Sequence, residues 1–248
     1  MLEYILVWNV CNSAYEGLKE TVFPLYCFSC RSRIKNNKHI SGICYNCVDA
    51  IKYNNPPFCY VCGKHLDYYA VNACINCKKK EFHFSRAWSA CLYDGVIKEL
   101  LHLFKYHGYT KIGNFLGKLM VDFLEDNLIA INEIDLIAPV PLHKRKLRER
   151  EFNQSEHLAE IIAKKFNKNI SVGNLIKVKD TAAQAVTSKE ARLENVKNSF
   201  RIKTDSLIRN QNILIIDDVL TTGTTCSEIA KTLKNSGANS VLTLTLAQ

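Results

Sequence analysis

The feature that most constrains the fold of this sequence is a set of eight cysteines in four C-x-x-C pairs between residues 27 and 77. The motif CFSCRSRI at 27–34 recurs as CYVCGKHL at 59–66, and GICYNC at 42–47 recurs as NACINC at 72–77. Each repeat therefore holds two cysteine pairs, which are separated by 13 residues in the first repeat and by 11 in the second.

Two residues between cysteines place both sulfurs on one side of a tight turn, and two such turns supply the four thiolates that close a tetrahedral Zn²⁺ shell. The repeat predicts two structural zinc sites with sequential ligands, although a crossed pairing of the turns stays open. A short module with few aliphatic residues needs such a metal, because it cannot bury much core. The predicted ligands are Cys27, Cys30, Cys44 and Cys47 in the first repeat and Cys59, Cys62, Cys74 and Cys77 in the second.

Redox-active cysteine pairs would need a strand–helix–strand context, which is missing around these motifs. His65 and His83 are close enough in sequence to be alternative ligands. Since four thiolates already complete each site, we expect both histidines to be surface residues. Paired, metal-binding thiols indicate a reducing compartment, so we expect a cytoplasmic location.

The first residues of the chain include a short apolar stretch, YILVWNV at 4–10. Glu3 precedes it where a signal peptide would carry positive charge, so we predict an N-terminal packing helix over residues 1–26 instead. No apolar run approaches the ~20 residues that span a bilayer, and we expect no membrane insertion.

After Ser85 the cysteine pairs end and apolar strands alternate with amphipathic helices. This alternation predicts an α/β domain with a mostly parallel sheet over residues 85–248, preceded by the double ribbon over 27–84. Ser155 stands where it would cap one of the helices. The predicted strands are 87–93, 135–142, 212–218 and 240–247, and the predicted helices are 95–107, 112–124, 155–166 and 224–235.

The stretch LIIDDVLTTGTT at 214–225 carries the clearest chemical signal. In an open α/β sheet, ligands bind beyond the carboxyl ends of the strands, where Asp217 and Asp218 would stand. The threonines then lead into a helix N-terminus, which favours a phosphate, and Gly223 lets the backbone approach it closely. Carboxylates repel phosphate but accept hydrogen bonds from hydroxyls, so the pattern predicts a site for a sugar phosphate. Neither of the common nucleotide-binding glycine motifs is present.

This stretch resembles the signature of the type I phosphoribosyltransferases, which bind 5-phosphoribosyl 1-pyrophosphate (PRPP). The resemblance implies that Asp217 and Asp218 hold the ribose hydroxyls and that Mg²⁺ accompanies PRPP. It also implies that the 5-phosphate is wrapped by Thr221, Thr222, Gly223, Thr224 and Thr225.

The whole chain, from about residue 20 to residue 246, is similar to the ComF competence family. The similarity rests on the cysteine pairs, on LFKYHG at 103–108, on PVPLHKRKLREREFNQSEHLA at 139–159, and on a Q…R-x-x-N-x-x-x-x-F pattern at 184–200. It implies a type I phosphoribosyltransferase-like α/β fold behind a small N-terminal double zinc ribbon. It further implies handling of single-stranded DNA in natural transformation, with a competence helicase as a partner.

The resemblance also implies pyrophosphate contacts and a mobile lid between about residues 179 and 188. Glu151 replaces a glycine that is usual in the family, and Lys177 and Lys179 stand where arginine is common. The lysines keep the charge but lose bidentate phosphate geometry. The pyrophosphate contacts that the resemblance implies are Val140, Pro141, Leu142, Arg150 and Lys179.

Several assignments stay open from the sequence. The basic run at 144–150 is either a solvated face or a contact for pyrophosphate or DNA, and Lys105 is either solvated or part of the site. The histidines form no pattern with a nucleophile, so no catalytic residue is predicted. Two alternative functions stay open. The first is transfer of ribose 5-phosphate from PRPP to a base or amine, and the second is a zinc-ribbon adaptor with a degenerate nucleotide fold.

The ribbon region is rich in aromatic and basic residues, and the formal net charge of +9 suits a polyanionic partner. Aromatic rings and cations together are typical of single-stranded DNA binding, but the same rings could form the small core of the ribbons. The residues concerned are Tyr45, Tyr53, Phe58, Tyr60, Tyr68 and Tyr69, with Arg31, Arg33 and Lys78 to Lys80.

Overall fold

The computed structural model describes residues 24–34, 38–67, 72–180 and 196–248. Residues 1–23 of the predicted N-terminal helix, most of the predicted lid, and Tyr68 and Tyr69 lie outside these ranges. The chain divides into two compact units, residues 1–51 and residues 52–248.

The first unit contains the first cysteine repeat. Strands β1 (His39–Ile40) and β2 (Ile43–Cys44) pair antiparallel, and helix α1 (Tyr45–Asp49) follows directly. Gly42 makes the turn between the strands with a φ of 83°, and an added side chain there would collide with the ring of Phe28. Among the described residues of this unit, the buried aliphatic side chains are Ile34, Ile43 and Ile51, a small core that is consistent with a metal-dependent fold.

The second unit is built around a five-stranded sheet in the order β3-β9-β8-β4-β5, and every neighbouring pair is parallel. A separate antiparallel pair is formed by β6 and β7. The elements of this unit are α2 (Ile75–Lys78), β3 (Arg86–Cys91), α3 (Gly95–His107), α4 (Thr110–Asp126), β4 (Leu136–Pro139), α5 (Lys144–Arg150), α6 (Gln154–Phe166), β5 (Asn169–Ile170), β6 (Leu175–Lys177), β7 (Phe200–Ile202), β8 (Asn212–Val219), α7 (Thr224–Asn235) and β9 (Ser240–Ala247).

The parallel sheet forms because its central strands are apolar on both faces. Residues 213–216 of β8 are all buried, as are the last five of the eight residues of β9. Helices α4, α6 and α7 contribute buried faces against these strands, as in other parallel sheets that are covered on both sides. The predicted mostly parallel sheet is thereby confirmed.

The second cysteine repeat packs on the edge strand β3. The Asn54 side chain donates to the carbonyl oxygens of Gly63 and Ser89, at 2.8 and 2.9 Å. The Ala87 amide donates to the Val61 carbonyl at 2.8 Å. These bonds cover an edge that would otherwise be open to pairing with another chain, so the second repeat lies in the same compact unit as the sheet.

Among the helices within the described ranges, none is both long and apolar enough to cross a membrane.

Candidate functional site

Two adjacent carboxylates stand at the carboxyl end of β8, near the middle of the sheet. Asp217 and Asp218 are half-buried, and β8 lies between β9 and β4. The neighbouring strand β4 ends at Pro139, which pairs in register with Ile216. The acid pair therefore occupies the edge of the sheet where ligands bind in this class of fold.

Asp217 is held by two hydrogen bonds to its Oδ1 atom. The Ser155 hydroxyl donates at 2.9 Å, and the Asp218 amide donates at 2.9 Å. Burial, followed by the charge of Asp218, raises the pKa of Asp217 to about 7 from an ordinary value of 3.8. The two hydrogen bonds and the positive charge of Lys105 act in the opposite direction. Close to neutral pH this carboxyl is therefore poised between its two protonation states.

The prediction that Ser155 caps its helix is wrong. Helix α6 begins at Gln154, and the side chain of Asn153 caps it by accepting from the Ser155 amide at 3.1 Å. The Ser155 hydroxyl is thus released for Asp217 on the facing strand. Packing of α6 against β8 makes this contact possible, and the local sequence alone gives no signal for it.

Asp218 forms an ion pair with Lys105, which comes from the last turn of α3. The Lys105 amine lies 2.7 Å from Asp218 Oδ2, and the two side chains are only 21% and 14% exposed. The interpretation of Lys105 as a merely solvated lysine is therefore wrong. In the described part of the chain, the second oxygen of each carboxylate has no hydrogen-bond partner, so both oxygens are available to accept from a ligand hydroxyl.

A short loop and a helix N-terminus follow the acid pair. Gly223 takes a φ of 71°, in the left-handed region that favours glycine, and helix α7 begins at Thr224 without a side-chain cap. The Thr222 and Thr224 hydroxyls lie 2.9 Å apart. The Thr224 amide donates to the Thr222 hydroxyl at 3.4 Å. The amides at the start of this 12-residue helix, together with these hydroxyls, form an arrangement suited to an anion.

Residues 140–142 continue from β4 next to the acid pair. The Val140 amide donates to the Ile216 carbonyl at 2.9 Å, and the Val140 carbonyl accepts from Asn153 at 3.0 Å. Pro141 and Leu142 are half-buried. The structure therefore brings this segment to the same edge of the sheet as the two aspartates.

Arg150 and Lys179 make their described contacts elsewhere. The Arg150 guanidinium donates to Gln154 at 2.9 Å and lies 5.3 Å from the ring centre of Tyr106. The Lys179 amine donates to the Lys197 carbonyl at 2.7 Å.

Lys177, two residues before Lys179, is a second lysine that interacts electrostatically with the acid pair. Burial, and after it the charge of Lys146, lowers the pKa of Lys177, while Asp217 and Asp180 act to raise it. A half-buried cation in the field of Asp217 is a functional candidate that the sequence marked only as a departure from the family pattern.

The basic run at 144–150 forms helix α5. Arg145 pairs with Asp180 at 3.0 Å and with Glu149 at 3.2 Å, with 58% of its side chain exposed. Exposed ion pairs of this kind contribute little to stability. Because Arg145 is mostly exposed, we interpret helix α5 as a charged surface next to the site.

The structure groups the eight paired cysteines as the repeat predicts. Within each group, the four sulfurs lie within 4.8 Å of one another. Sulfurs at ~2.3 Å from a tetrahedral Zn²⁺ stand about 3.8 Å apart, and the Cys30–Cys44 and Cys62–Cys74 sulfur distances are 3.7 and 3.8 Å. Each repeat thus forms a complete four-thiolate zinc-binding site.

Each site has the same type of hydrogen bond from a backbone amide to a cysteine sulfur. The Cys44 amide donates to the Cys27 sulfur at 3.4 Å, and the Cys74 amide donates to the Cys59 sulfur at 3.3 Å. Both groups consist of cysteines alone, and His65 instead contacts the Asn55 carbonyl at 2.7 Å.

The ribbon aromatics differ in their exposure. Tyr45, Tyr53 and Tyr60 are 47%, 48% and 62% exposed, whereas Phe58 packs against Phe123 with ring centres 5.8 Å apart. Of these residues, Phe58 is half-buried against another ring, and the three tyrosines present exposed rings.

Comparison with known proteins gives matches to two family models and to several characterised relatives. A phosphoribosyl transferase domain model matches residues 153–248, and a double zinc ribbon domain model matches residues 18–78. These matches, with the parallel sheet and the two cysteine groups, confirm the predicted type I phosphoribosyltransferase fold with an N-terminal double zinc ribbon.

Three relatives align over nearly their whole length. Competence protein F of Haemophilus influenzae is 29% identical, with 91% of this chain and 98% of the relative covered. DNA utilization protein YhgH of Salmonella typhi is 30% identical, with coverage of 88% and 94%. Competence protein ComFC of Bacillus subtilis is 26% identical, with coverage of 91% and 95%.

Proposed function

This chain belongs to the ComF family of competence proteins, and we propose that it binds PRPP and handles single-stranded DNA during natural transformation. The observation that carries the PRPP proposal is the adjacency of two opposite chemistries. The half-buried acids Asp217 and Asp218 stand at the end of β8, and an uncapped helix N-terminus follows at Thr224. A ribose 5-phosphate presents the matching groups, with hydroxyls at one end and a phosphate at the other.

The acid pair would hold the ribose rather than the phosphate. The two carboxylate oxygens that lack a partner among the described residues would accept hydrogen bonds from the vicinal hydroxyls. Lys105 would hold the Asp218 side chain in position through their ion pair. The 5-phosphate would bind the loop Thr221, Thr222, Gly223, Thr224 and Thr225, where amides and hydroxyls are donors.

The pyrophosphate end would lie towards the segment after β4. Val140, Pro141 and Leu142 are beside the acid pair. The Leu142 amide would be the donor of this segment, because Pro141 has no N–H and the Val140 amide donates to the Ile216 carbonyl, and Lys177 would add a cation. Arg150 and Lys179 would need to exchange their present partners, Gln154 and Lys197, to reach the ligand. Mg²⁺ would arrive with the pyrophosphate, since phosphate and carboxylate oxygens are the ligands it prefers.

A second candidate function is transfer of ribose 5-phosphate from PRPP to a base or amine. It is favoured by a cavity of about 400 Å³ that opens against Thr221 to Thr224 and is also lined by Phe82, Phe84 and Gln248. This volume is large enough for a small acceptor. Release of pyrophosphate that depends on one acceptor in a panel of bases and amines would favour this function, and uniform hydrolysis or none would exclude it.

The DNA proposal is supported by the similarity to competence and DNA utilization proteins and by exposed ribbon residues. In the second unit, the Tyr60 ring is 62% exposed, and Lys78 and Lys79 are exposed close to the second zinc site. Exposed rings can stack on bases, and the lysines can neutralise phosphates. We place this activity in the cytoplasm, where the zinc thiolates stay reduced, with a competence helicase as the proposed partner.

The PRPP proposal is tested by dissecting the ligand. Affinities of the zinc-loaded protein for PRPP, ribose 5-phosphate and ribose would be measured by calorimetry in Mg²⁺. Replacing both acids in Asp217→Asn/Asp218→Asn removes two hydrogen bonds to charged groups, ~1.5–3 kcal/mol each, so affinity should fall by at least about a hundredfold. Asp135→Asn is the matched control, because Asp135 caps the opposite end of β8. Equal affinity of the double variant and the wild type would refute the assignment.

A further inference from the structure

The segment that leads from the second zinc site to β3 lies directly on the phosphate loop. A side-chain carbon added at Gly223 would stand 2.7 Å from the ring of Phe82. The His83 amide donates to the Ser227 hydroxyl, in the first turn of α7, at 3.1 Å. The loop conformation therefore depends on residues contributed by the second ribbon as well as on its own sequence.

Lys80 makes the closest of these contacts. Its amine donates to the Thr222 carbonyl at 2.9 Å and to the Thr224 hydroxyl at 3.4 Å. The same amine lies 4.9 Å from the ring centre of Phe82, which packs against the loop. Lys80 is half-buried, whereas its neighbours Lys78 and Lys79 are exposed. One cation of this lysine run is thus held at the anion site while the other two face solvent.

The position of Lys80 also depends on the second metal site. Lys80 follows the ligand Cys77 by three residues, and its amide donates to the Cys77 carbonyl at 3.5 Å. The cavity that borders residues 221–224 is also lined by Cys62, Cys74 and Cys77. The zinc ligands and this loop therefore border the same cavity within one compact unit.

We propose that the second zinc ribbon is part of the phosphate site, with Lys80 as a positioning residue that orders the loop and adds positive charge. This inference rests on the proposed function, because it takes the loop ligand to be a phosphate ester. The loop itself offers only neutral donors and the partial charge of a helix N-terminus, while a phosphate monoester carries about −1.5 to −2 charges. A phosphate oxygen bound by the Thr224 hydroxyl would lie next to the ammonium that already contacts that hydroxyl. Loading of the second zinc site would accordingly control affinity for the sugar phosphate.

The contribution of the Lys80 charge to phosphate binding is tested with Lys80→Met, which keeps the aliphatic stem of the side chain. Lys79→Met is the matched control. Affinity for PRPP and for ribose 5-phosphate should fall by about tenfold in Lys80→Met, as for the loss of one charge-assisted contact. Lys79→Met should match the wild type, and Lys80→Arg should recover most of the affinity. The affinity of Lys80→Met should also depend less steeply on NaCl concentration, which a purely structural role would not cause.

The metal link is tested on the full chain with Cys74→Ser, which opens the second site, and Cys44→Ser, which opens the first. We expect Cys74→Ser to lose affinity for ribose 5-phosphate at least as far as Lys80→Met. Lys80→Gln repeats the charge test should Lys80→Met melt at a lower temperature than the wild type. Wild-type affinity in both Lys80→Met and Cys74→Ser would overturn the inference and leave PRPP binding intact. Absence of PRPP binding by the wild type would instead refute the proposed function itself.

Discussion

The raised pKa of Asp217 predicts that affinity for the sugar phosphate increases with pH around neutrality. Burial and the neighbouring Asp218 charge place this pKa at about 7. An ionised Asp217 can accept from a ribose hydroxyl through its second oxygen, whereas a protonated carboxyl has lost part of that capacity. PRPP binding should therefore need the ionised form, and the proton should compete with the ligand.

The size of the effect follows from the fraction of ionised Asp217. With a pKa of about 7, this fraction is roughly one tenth at pH 6 and roughly nine tenths at pH 8, so affinity should rise by about tenfold over this range. The ligand phosphate, with a second pKa of about 6, adds a smaller change in the same direction. Asp217→Asn removes the contribution of Asp217 ionisation and keeps that of the ligand phosphate, so the variant separates the two contributions.

The stability of the ligand-free protein should change in the opposite direction. The folded pKa lies above the ordinary value of 3.8, so between these pH values the folded state binds more protons than the unfolded state. Stability contributed by Asp217 is therefore complete below the ordinary pKa and is lost as pH rises through about 7. The raised pKa of Asp217 corresponds to a loss of at most ~4 kcal/mol in the free energy of unfolding at pH 8. Asp217→Asn should recover a large part of this loss.

Calorimetric titrations with PRPP at pH 6, 7 and 8 test the affinity, and urea unfolding at the same pH values tests the stability. The reasoning is refuted if wild type and Asp217→Asn show the same pH profile for affinity. It is also refuted if the ligand-free wild type becomes more stable from pH 6 to 8 relative to Asp217→Asn.

Three further predictions concern the loop, the ribbon surface and the hydroxyl beside the acid pair. Gly223→Ala should lower the free energy of unfolding by ~2–4 kcal/mol, because it introduces strain in the left-handed region and crowding, and urea unfolding measures this loss. It should also abolish binding of ribose 5-phosphate, which calorimetry measures. Lys78→Ala/Lys79→Ala should weaken binding of a fluorescent single-stranded oligonucleotide at low salt, with a smaller difference at high salt. Ser155→Ala removes a hydrogen bond that lowers the pKa of Asp217, so the rise in PRPP affinity should shift to higher pH.

Each of these predictions has a matched control. Gly173 has a φ of 72° with open space around its position, so Gly173→Ala should show strain without crowding and bind ligand normally. Lys231→Ala/Lys234→Ala removes two cations from α7 and should leave oligonucleotide binding unchanged. Ser155→Thr keeps the hydroxyl and should keep the wild-type pH profile. A variant that behaves like its control would contradict the role assigned to that residue.

Local patterns predicted the elements that surround the site with good accuracy. The helices at 95–107 and 224–235 and the strand at 240–247 have the predicted bounds. Their apolar residues recur with the period of a helix or fill a strand on both faces, so the signal is contained within each segment. The short strands β5, β6 and β7 escaped prediction, because two or three residues carry no period.

The residues that complete the site could not be predicted, since their partners are distant in sequence. Lys105 pairs with Asp218 across 113 positions, and Lys80 reaches Thr222 across 142. Each lysine lies on a segment whose local pattern is equally compatible with solvent exposure. Ser155 illustrates the same limit, because Asn153 provides an equally good cap two residues earlier. Only the packing of these segments against β8 and its loop decides between the alternatives.

The central claim is that one crevice at the end of β8 holds a ribose through Asp217 and Asp218 and its phosphate through the loop that follows. A titration of PRPP into zinc-replete, folded protein in Mg²⁺ tests this claim most directly. The account predicts saturable binding of one PRPP per chain, competed by ribose 5-phosphate and lost in Asp217→Asn/Asp218→Asn. The absence of saturable binding to the wild type, or undiminished binding to the double variant, would contradict it.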